Sequence, residues 1–529
     1  MIWILLAVVL AVWIWLKYIR TLSHFTRLGV KQSNHPWPFL GDQWRMIVRY
    51  MSIGEIILMI YNLSQKCRYV GFYQFTVPAL VVKDPELIKQ LTVKDFDHFT
   101  DHRSFVDPDS DPIWAGNLLS LTGQKWKEMR STLSGTFTSS KMKHMFGTIN
   151  EAASNFVQYF IDRDEDIFEV ELKDIFTKYT NDVIATAAFG IKVDSMGEPD
   201  NKFYNMGKLL TRISGFLMSL KMLLFFALPT IYKFFKVSLF DRNLLQYFRS
   251  IIHETIHTRE EKGIVRKDMI NLLLETRKGV VHEEENVTET GYATVKESTY
   301  LDKSKFKHLK VLTDDEITSQ ALIFFFAGFD TISTALCFGS YELAVNKDIQ
   351  DKLRQEILQT HKENNGIVSY ESLLKMKYMD KVFSEILRKW PPVAMIDRIC
   401  TKPYTIEPKY PDEKPIPLNV GDMIMLPMFG LHRDPKYFPN PENFDPERFS
   451  DEEKDKIVPY SYIPFGSGPR NCIGSRFAIL EAKALLYYLL LNFQIVPIKK
   501  TVIPLKLSKK TPQLSAEAGY WVGLKRIRE

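Results

Sequence analysis

One cysteine in this chain stands where its sulfur could do chemistry. Phe465-Gly466-Ser467-Gly468-Pro469-Arg470-Asn471-Cys472-Ile473-Gly474 is a glycine-rich loop that leads into the apolar run Ser475-Arg476-Phe477-Ala478-Ile479-Leu480-Glu481-Ala482. The glycines ahead of the cysteine carry no Cβ and accept unusual backbone angles, so the main chain can pass close to a flat macrocycle. Pro469 stiffens the loop and removes a donor. Helical spacing after Ile473 sets the sulfur at a helix N-terminus, where free amides and the dipole favour negative charge and so hold a thiolate ionised. The chemistry this suits is ligation of a macrocyclic iron, with Arg470 in reach of the macrocycle's carboxylates. A buried structural cysteine after a turn is the plainer alternative, because free cysteine is a common core residue.

A second constellation sits in an apolar helix. Thr313-Asp314-Asp315-Glu316 makes a good cap and first turn, and Ala327-Gly328-Phe329-Asp330-Thr331 follows inside the helix. A Gly and an Asp-Thr pair are costly there. Gly328 leaves a gap beside the backbone, and a Thr hydroxyl bonded to the preceding turn bends the helix, a local opening that could admit dioxygen. Helical spacing puts Ile323, Phe326, Ala327, Asp330, Thr331 and Thr334 on neighbouring strips of one face. Alone, this is equally an aromatic core helix with one polar kink.

Charged pairs complete the pattern. Glu385 and Arg388 stand at i and i+3 just before Trp390-Pro391-Pro392 ends their helix, a spacing that is usually a surface ion pair. Trp126 and Arg130 share a face at i and i+4. Arg130 and Arg398, taken singly, read as a solvated cation or a local ion pair. His253-Glu254-Thr255-Ile256-His257 is a literal HExxH. The polar Thr258-Arg259-Glu260-Glu261-Lys262 follows it with no third ligand at a fitting distance, so a solvated amphipathic helix is expected there instead.

Taken together, these residues resemble the haem-thiolate monooxygenases of the cytochrome P-450 superfamily. The loop fills the Phe-x-x-Gly-x-Arg-x-Cys-x-Gly signature completely, and the other motifs stand in the family's order along the whole chain. The resemblance implies a mainly α protein with small β-sheets, in the cytochrome P-450 fold, as a single large haem domain behind an N-terminal membrane anchor. It implies haem b as cofactor, with Cys472 on the iron and Arg470, Phe465, Trp126, Arg130 and Arg398 around the macrocycle. Thr331 would act on activated dioxygen and Asp330 would deliver protons. Ile323, Phe326, Ala327, Val393, Ala394, Met395 and Ile396 would line the substrate pocket. Glu385, Arg388 and the later Arg448 would form a buried structural network that fixes the thiolate loop.

The implied reaction is NADPH-dependent hydroxylation or epoxidation of lipophilic small molecules such as insecticides and plant allelochemicals. Electrons would come from NADPH-cytochrome P-450 reductase, with cytochrome b5 as a further partner. Lys125, Lys127, Lys141 and Lys143 are candidates for the basic docking contact or an ordinary solvated face. The loop, the Asp330-Thr331 helix and the stretch Arg103 to Pro112 resemble insect microsomal detoxifying enzymes, in family nine. Oxidation of endogenous hormones or lipids, a haem-thiolate isomerase and a non-enzymatic haem-binding protein are the alternatives, and a zinc metalloprotease is the remote one. The Asp330-Thr331 pair weighs against the isomerase.

Composition sets the outer bounds. With 529 residues and no Pro/Gly/Ser-rich linker inside, one large α-rich domain is expected over residues 51–529. Cys67, Cys337, Cys400 and Cys472 are scattered, which argues against a disulfide scaffold or a structural zinc site and suits a reducing compartment. The net charge of +6 is dispersed among acids and does not point to nucleic acid. Residues 1–20 read as a membrane anchor, with a cleaved signal peptide as rival. Arg20, Arg27 and Lys31 follow it and place the body in the cytoplasm, on the endoplasmic reticulum (microsomal) membrane by resemblance.

Residues 21–50 form a linker in which Pro36 and Pro38 make a stiff hinge. The Asn286-Val287-Thr288 sequon would then go unused. Thr276 to Lys310 is expected to be a mobile surface loop. Met218 to Phe226 and Ile231 to Phe235 suit either a flap dipping into the bilayer or buried helix packing. Strand-like pieces stand near Phe72 to Val82, Tyr404 to Met428 and the C-terminus.

Overall fold

The computed structural model describes residues 20–212, 216–266, 268–278, 291–294 and 312–528, with short pieces between 3 and 16. Most of residues 1–19, the sequon at 286–288 and most of the polar stretch 276–310 lie outside the described residues. The architecture is mainly helical with small sheets, as the motifs implied.

The helix Asp314–Val345 organises everything else. Thr313 accepts a hydrogen bond from Glu316 N–H, and the Glu316 carboxylate answers the Thr313 N–H, so both orphan donors are satisfied by a capping box. Three acids in the first turn complement the dipole. By length and composition the helix could cross a membrane, yet most of it is buried in the protein as a core element. It packs against Leu172–Ile184, Arg242–Lys262, Lys377–Lys389 and Ser475–Asn492. Apolar residues all round its axis are therefore explained by neighbours on every side.

Three sheets hold the periphery. The largest has the order Tyr69–Gln74, Val77–Val82, Met423–Leu426, Ile396–Ile399. Its first two strands form an antiparallel hairpin. Val77–Val82 runs parallel to Met423–Leu426, and Ile396–Ile399 pairs antiparallel with it, Arg398 opposite Ile424. That last strand carries Arg398 into the interior. A second sheet joins Ile167–Glu171, Trp521–Arg526 and Phe493–Val496, and the third pairs Tyr404–Ile406 with Ile416–Leu418.

Two helix ends matter for the site. Lys377–Lys389 stops at Trp390, whose ring stacks on Phe338 at 4.4 Å and whose Nε1 donates to Glu342 at 2.7 Å. The following prolines forbid continuation. Ser475–Asn492 is capped by Gly474, two residues beyond Cys472.

The HExxH residues lie on Arg242–Lys262, with Ile252 and Ile256 turned to the core, His253 3.3 Å from Asp315 and His257 exposed. The two apolar segments near Pro229 are the helices Phe216–Ala227 and Pro229–Phe234. Phe226 and Tyr232 are buried, while Leu217, Ile231, Phe234 and Phe235 are exposed.

Candidate active site

The cysteine loop closes on itself before the helix starts. Cys472 N–H donates to Phe465 O at 2.9 Å, and Gly466 N–H to Ile463 O at 2.9 Å. Gly468 has φ +73°, and a Cβ there would stand 1.8 Å from the carbonyl oxygen of Thr92. Only glycine fits that approach. The Ser467 and Thr92 hydroxyls meet at 2.9 Å, which ties the loop to the distant helical turn Gln90–Lys94.

Cys472 opens onto an interior cavity of about 420 Å³. Its accessible surface faces that cavity rather than bulk water, which is why burial pushes the thiol pKa up, against the pull of the Gly474 backbone and Arg130. This corrects the expectation that the helix end by itself holds the sulfur ionised. A bonded metal ion would do so, because a coordinating thiol loses its proton.

The cations converge beside the sulfur. Arg130 Nη1 and Nη2 donate to Asn471 O and Oδ1 at 2.9 and 2.7 Å. Arg470 donates to the carbonyls of Thr100, Leu119 and Leu121 and lies 4.6 Å over the Trp126 ring. Arg398 donates to the carbonyls of Asp397, Ser467 and Arg470. Burial pushes Arg398 down to about 10. Burial and the adjacent Arg398 push Arg470 down to about 9. The Nε atoms of both are buried and have no hydrogen-bond partner among the described residues. Asp101, at 4.0 Å from Arg470, and Asp397, whose carboxyl is held below the usual carboxylate range, are the carboxylates at hand.

Arg130, Arg398 and Arg470 outnumber these two carboxylates, and the excess positive charge fits a dianionic macrocycle in the cavity. Trp126, Arg130, Arg470, Phe465 and Cys472 all line the cavity, and Arg398 stands behind Arg470.

The opposite wall comes from the long helix. Ile323, Ala327 and Thr331 line the cavity as the spacing required, joined by Phe324, Gly328 and Ile332. Thr331 Oγ1 donates to Ala327 O at 2.7 Å, the back-bond of a helical threonine. A Cβ at Gly328 would stand 3.1 Å from Ile184, so this glycine admits a neighbouring helix as well as opening the wall.

Other expected members of that face turn elsewhere. Asp330 does not line the cavity. Its carboxylate pairs with Lys173 at 2.8 Å and accepts from Gln513 at 3.2 Å. Thr334 accepts from Lys173 at 2.8 Å. Consecutive helical residues point about 100° apart, so Asp330 meets Leu172–Ile184 where Thr331 meets the cavity. Phe326 packs edge-on against Trp114 at 5.3 Å instead of lining the cavity. Of Val393 to Ile396, the two ends line it. Ala394 and Met395 turn away: Ala394 O accepts from Phe429 N–H, and Met395 packs against the sheet.

The charge network exists and reaches further than expected. Arg388 grips Glu385 with two hydrogen bonds, 2.7 and 2.8 Å, both side chains fully buried. Glu385 also accepts from Asp445 N–H at 2.8 Å, with Arg448 Nε 3.6 Å away. Burial raises the Glu385 pKa, opposed by Arg388. Arg388 Nη1 donates to His432 O, and His432 Nε2 accepts from Ile463 N–H at 3.0 Å, two residues ahead of Phe465. His432 is thus the link from the network to the cysteine loop. Burial and two neighbouring arginines push it down to about 3.

His432 escaped the sequence reading because no motif spacing marks it. His102, Leu119, Ile184, Ala187 and Phe383 also line the cavity from segments without a signature. Of the four candidate docking lysines, Lys127 pairs with Asp97, Lys141 with Glu275 and Lys143 with Glu371, while Lys125 is exposed.

Known proteins show the same plan. The family model described as Cytochrome P450 matches residues 33–519. Cytochrome P450 9e2 of Blattella germanica is 44% identical over 502 residues, covering 92% of this chain and 91% of its own length. Probable cytochrome P450 9f2 of Drosophila melanogaster is 42% identical over 499 residues, 92% of each chain. Cytochrome P450 6k1 of Blattella germanica is 37% identical over 507 residues, 96% of this chain and 93% of its own. The first two names carry the family-nine number that the motifs resembled. With loop, cations and threonine wall brought around one cavity, and a match along nearly the whole length, the chain belongs to the cytochrome P450 family of haem-thiolate monooxygenases, with haem as cofactor.

Proposed function

We propose that this monooxygenase takes electrons from NADPH through a flavoprotein reductase, with cytochrome b5 as a second donor, and hydroxylates or epoxidises lipophilic xenobiotics. The observation that carries the reading is the lining opposite Cys472: Ile323, Phe324, Ala327, Val393 and Ile396 make an apolar wall around the single hydroxyl of Thr331. Such a wall selects substrates by apolar area and excludes water. Bound haem supplies the redox chemistry, activating dioxygen and passing one oxygen atom to the substrate.

The chain's own groups have narrower tasks. Cys472 would hold the iron, and Arg398 and Arg470 would hold the two carboxylates. Thr331 Oγ1, on the cavity wall, would hold and pass a proton. Asp330, paired with Lys173 on the outer side of the same helix turn, would feed that proton after releasing the lysine. Residues 1–20 would anchor the chain in the endoplasmic reticulum membrane, 21–50 would link, and 51–529 would carry the chemistry in the cytoplasm.

The test is direct. Full-length holoprotein, reductase and NADPH are given an insecticide or a plant terpenoid. Oxygenated product that tracks NADPH consumption is expected, along with the red-shifted carbon monoxide band of thiolate-ligated ferrous haem. Product formed without NADPH would replace this reading by an isomerase.

A further inference from the structure

Between the short helix Pro112–Ala115 and the helix Gly123–Ser134, residues 116–122 have neither helical nor strand structure, so no ladder of backbone bonds sets their path. Side chains from two distant elements set it instead. Gln320, fully buried on the long helix, takes one end: its Oε1 accepts from Leu118 N–H at 2.9 Å, and its Nε2 donates to Gly116 O at 2.9 Å. Arg470 of the cysteine loop takes the other, donating to Leu119 O at 3.0 Å and Leu121 O at 2.8 Å.

The stretch is also braced from within. Asn117 Oδ1 accepts from Ser120 N–H at 2.9 Å, and the Asn117 carbonyl accepts from the N–H groups of Ser120 and Leu121 at 3.1 and 2.9 Å. It lies close against the long helix, where a Cβ at Gly116 would stand 2.9 Å from Ser319 Oγ. Its outcome is two side chains in the cavity: Leu118 and Leu119 line the space shared by Cys472 and Thr331, while Gln320 is not among the lining residues.

A carboxamide suits this task. It offers an acceptor and a donor side by side without charge, which matches an N–H and a carbonyl two residues apart. A carboxylate could not donate to Gly116 O, and an apolar side chain would leave both backbone groups without their partner in the interior, where that is costly. Gln320 stands three, seven and eleven residues ahead of Ile323, Ala327 and Thr331, on the helix stripe that forms the opposite wall. One residue thereby fixes the distance between the two walls.

We infer that Gln320 is a positioning residue for substrate selection, which acts by holding Leu118 and Leu119 as the wall that large apolar occupants must meet. The inference rests on the reading of this cavity as the substrate site.

The experiment titrates full-length holoprotein with imidazole, which reaches the iron while touching little of the wall, and with clotrimazole, whose aryl groups must pack against it. The haem absorbance shift on nitrogen ligation reads both. In Gln320→Leu the imidazole affinity should stay within about twofold of wild type while the clotrimazole affinity falls about tenfold, the scale on which one misplaced apolar contact discriminates. Leu118→Ala should give a similar fall, and the double variant should add little to either, because both substitutions break the same contact surface. Gln320→Asn, which keeps both polar groups one methylene short, should fall between.

The carbon monoxide band of each variant reports a loaded fold, and if Gln320→Leu does not load haem, Gln320→Asn takes its place in the cycle. Equal loss for the two azoles, an unchanged clotrimazole affinity, or additive effects of the Gln320 and Leu118 substitutions overturns the inference. So does failure of both Gln320 variants to load haem, which would assign the amide to folding alone. Neither titration needs turnover, so absence of NADPH-dependent product would count against the proposed xenobiotic oxidation while these affinities still report the wall.

Discussion

At position 331 a single hydroxyl faces an otherwise apolar wall, bonded back to Ala327 O. Truncation to alanine removes that hydroxyl and one methyl group, enlarging the cavity slightly and leaving the cysteine loop untouched. Thr331→Ala is therefore expected to retain haem and its carbon monoxide band but to lose most of its product per NADPH, since a general acid–base contribution is worth about a hundredfold or more. The missing reducing equivalents should appear as peroxide. Unchanged coupling would remove Thr331 from proton transfer. Asp330 is adjacent in sequence and yet belongs to another environment, a half-buried ion pair with Lys173.

Loop and helix geometry set the next scale. Gly468 has a left-handed backbone and no room for a Cβ, whereas at Gly474, φ −90°, an added Cβ would meet its first neighbour at 3.9 Å. Gly468→Ala should cost about 3 kcal/mol, summing the left-handed penalty and overpacking, and should yield little haem-loaded protein. Gly474→Ala should cost under about 1 kcal/mol as a cap change. Thermal melts and haem content of the two variants distinguish them, and equal damage would show that the loop's geometry is not what matters.

The strut formed by Glu385, Arg388 and His432 makes a pH prediction. His432 titrates near 3 in the fold and near 6.5 when unfolded. Below about 6.5 the unfolded chain binds a proton that the folded one refuses, so stability falls as pH drops from 6.5 toward 3 and is fully present above 6.5. Between pH 7 and pH 5 this residue accounts for roughly 2 kcal/mol. Urea unfolding of wild type and His432→Gln at both pH values measures it, and an identical pH dependence in the two proteins would contradict the buried neutral imidazole.

Across the whole molecule, membrane attachment and catalysis are expected to be separable. The chemistry is enclosed by helices and sheets between residues 53 and 526, while the apolar N-terminus precedes them. Deleting residues 1–20 is expected to shift most of the protein out of the membrane fraction with its carbon monoxide band intact. Exposed Leu217, Ile231, Phe234 and Phe235 should leave a weaker, salt-insensitive residual binding. A membrane fraction equal to wild type would assign attachment to that surface instead.

The cysteine loop, the Thr331 helix and the Glu385–Arg388 pair were legible from residues 465–474, 327–331 and 385–388 because their geometry is local. A turn that needs glycine, a helical face and an i, i+3 ion pair are all set within one or two turns of chain. Tertiary packing decided the rest. It chose which of two adjacent residues, Asp330 or Thr331, faces the cavity, turned Phe326 to Trp114 and Ala394 to Phe429, and brought His432 beneath a loop that starts about thirty residues later. It also set Gln320 against Gly116 and Leu118, about two hundred residues earlier. Those arrangements join segments far apart in sequence, and their energies come from burial and partners that no local spacing encodes.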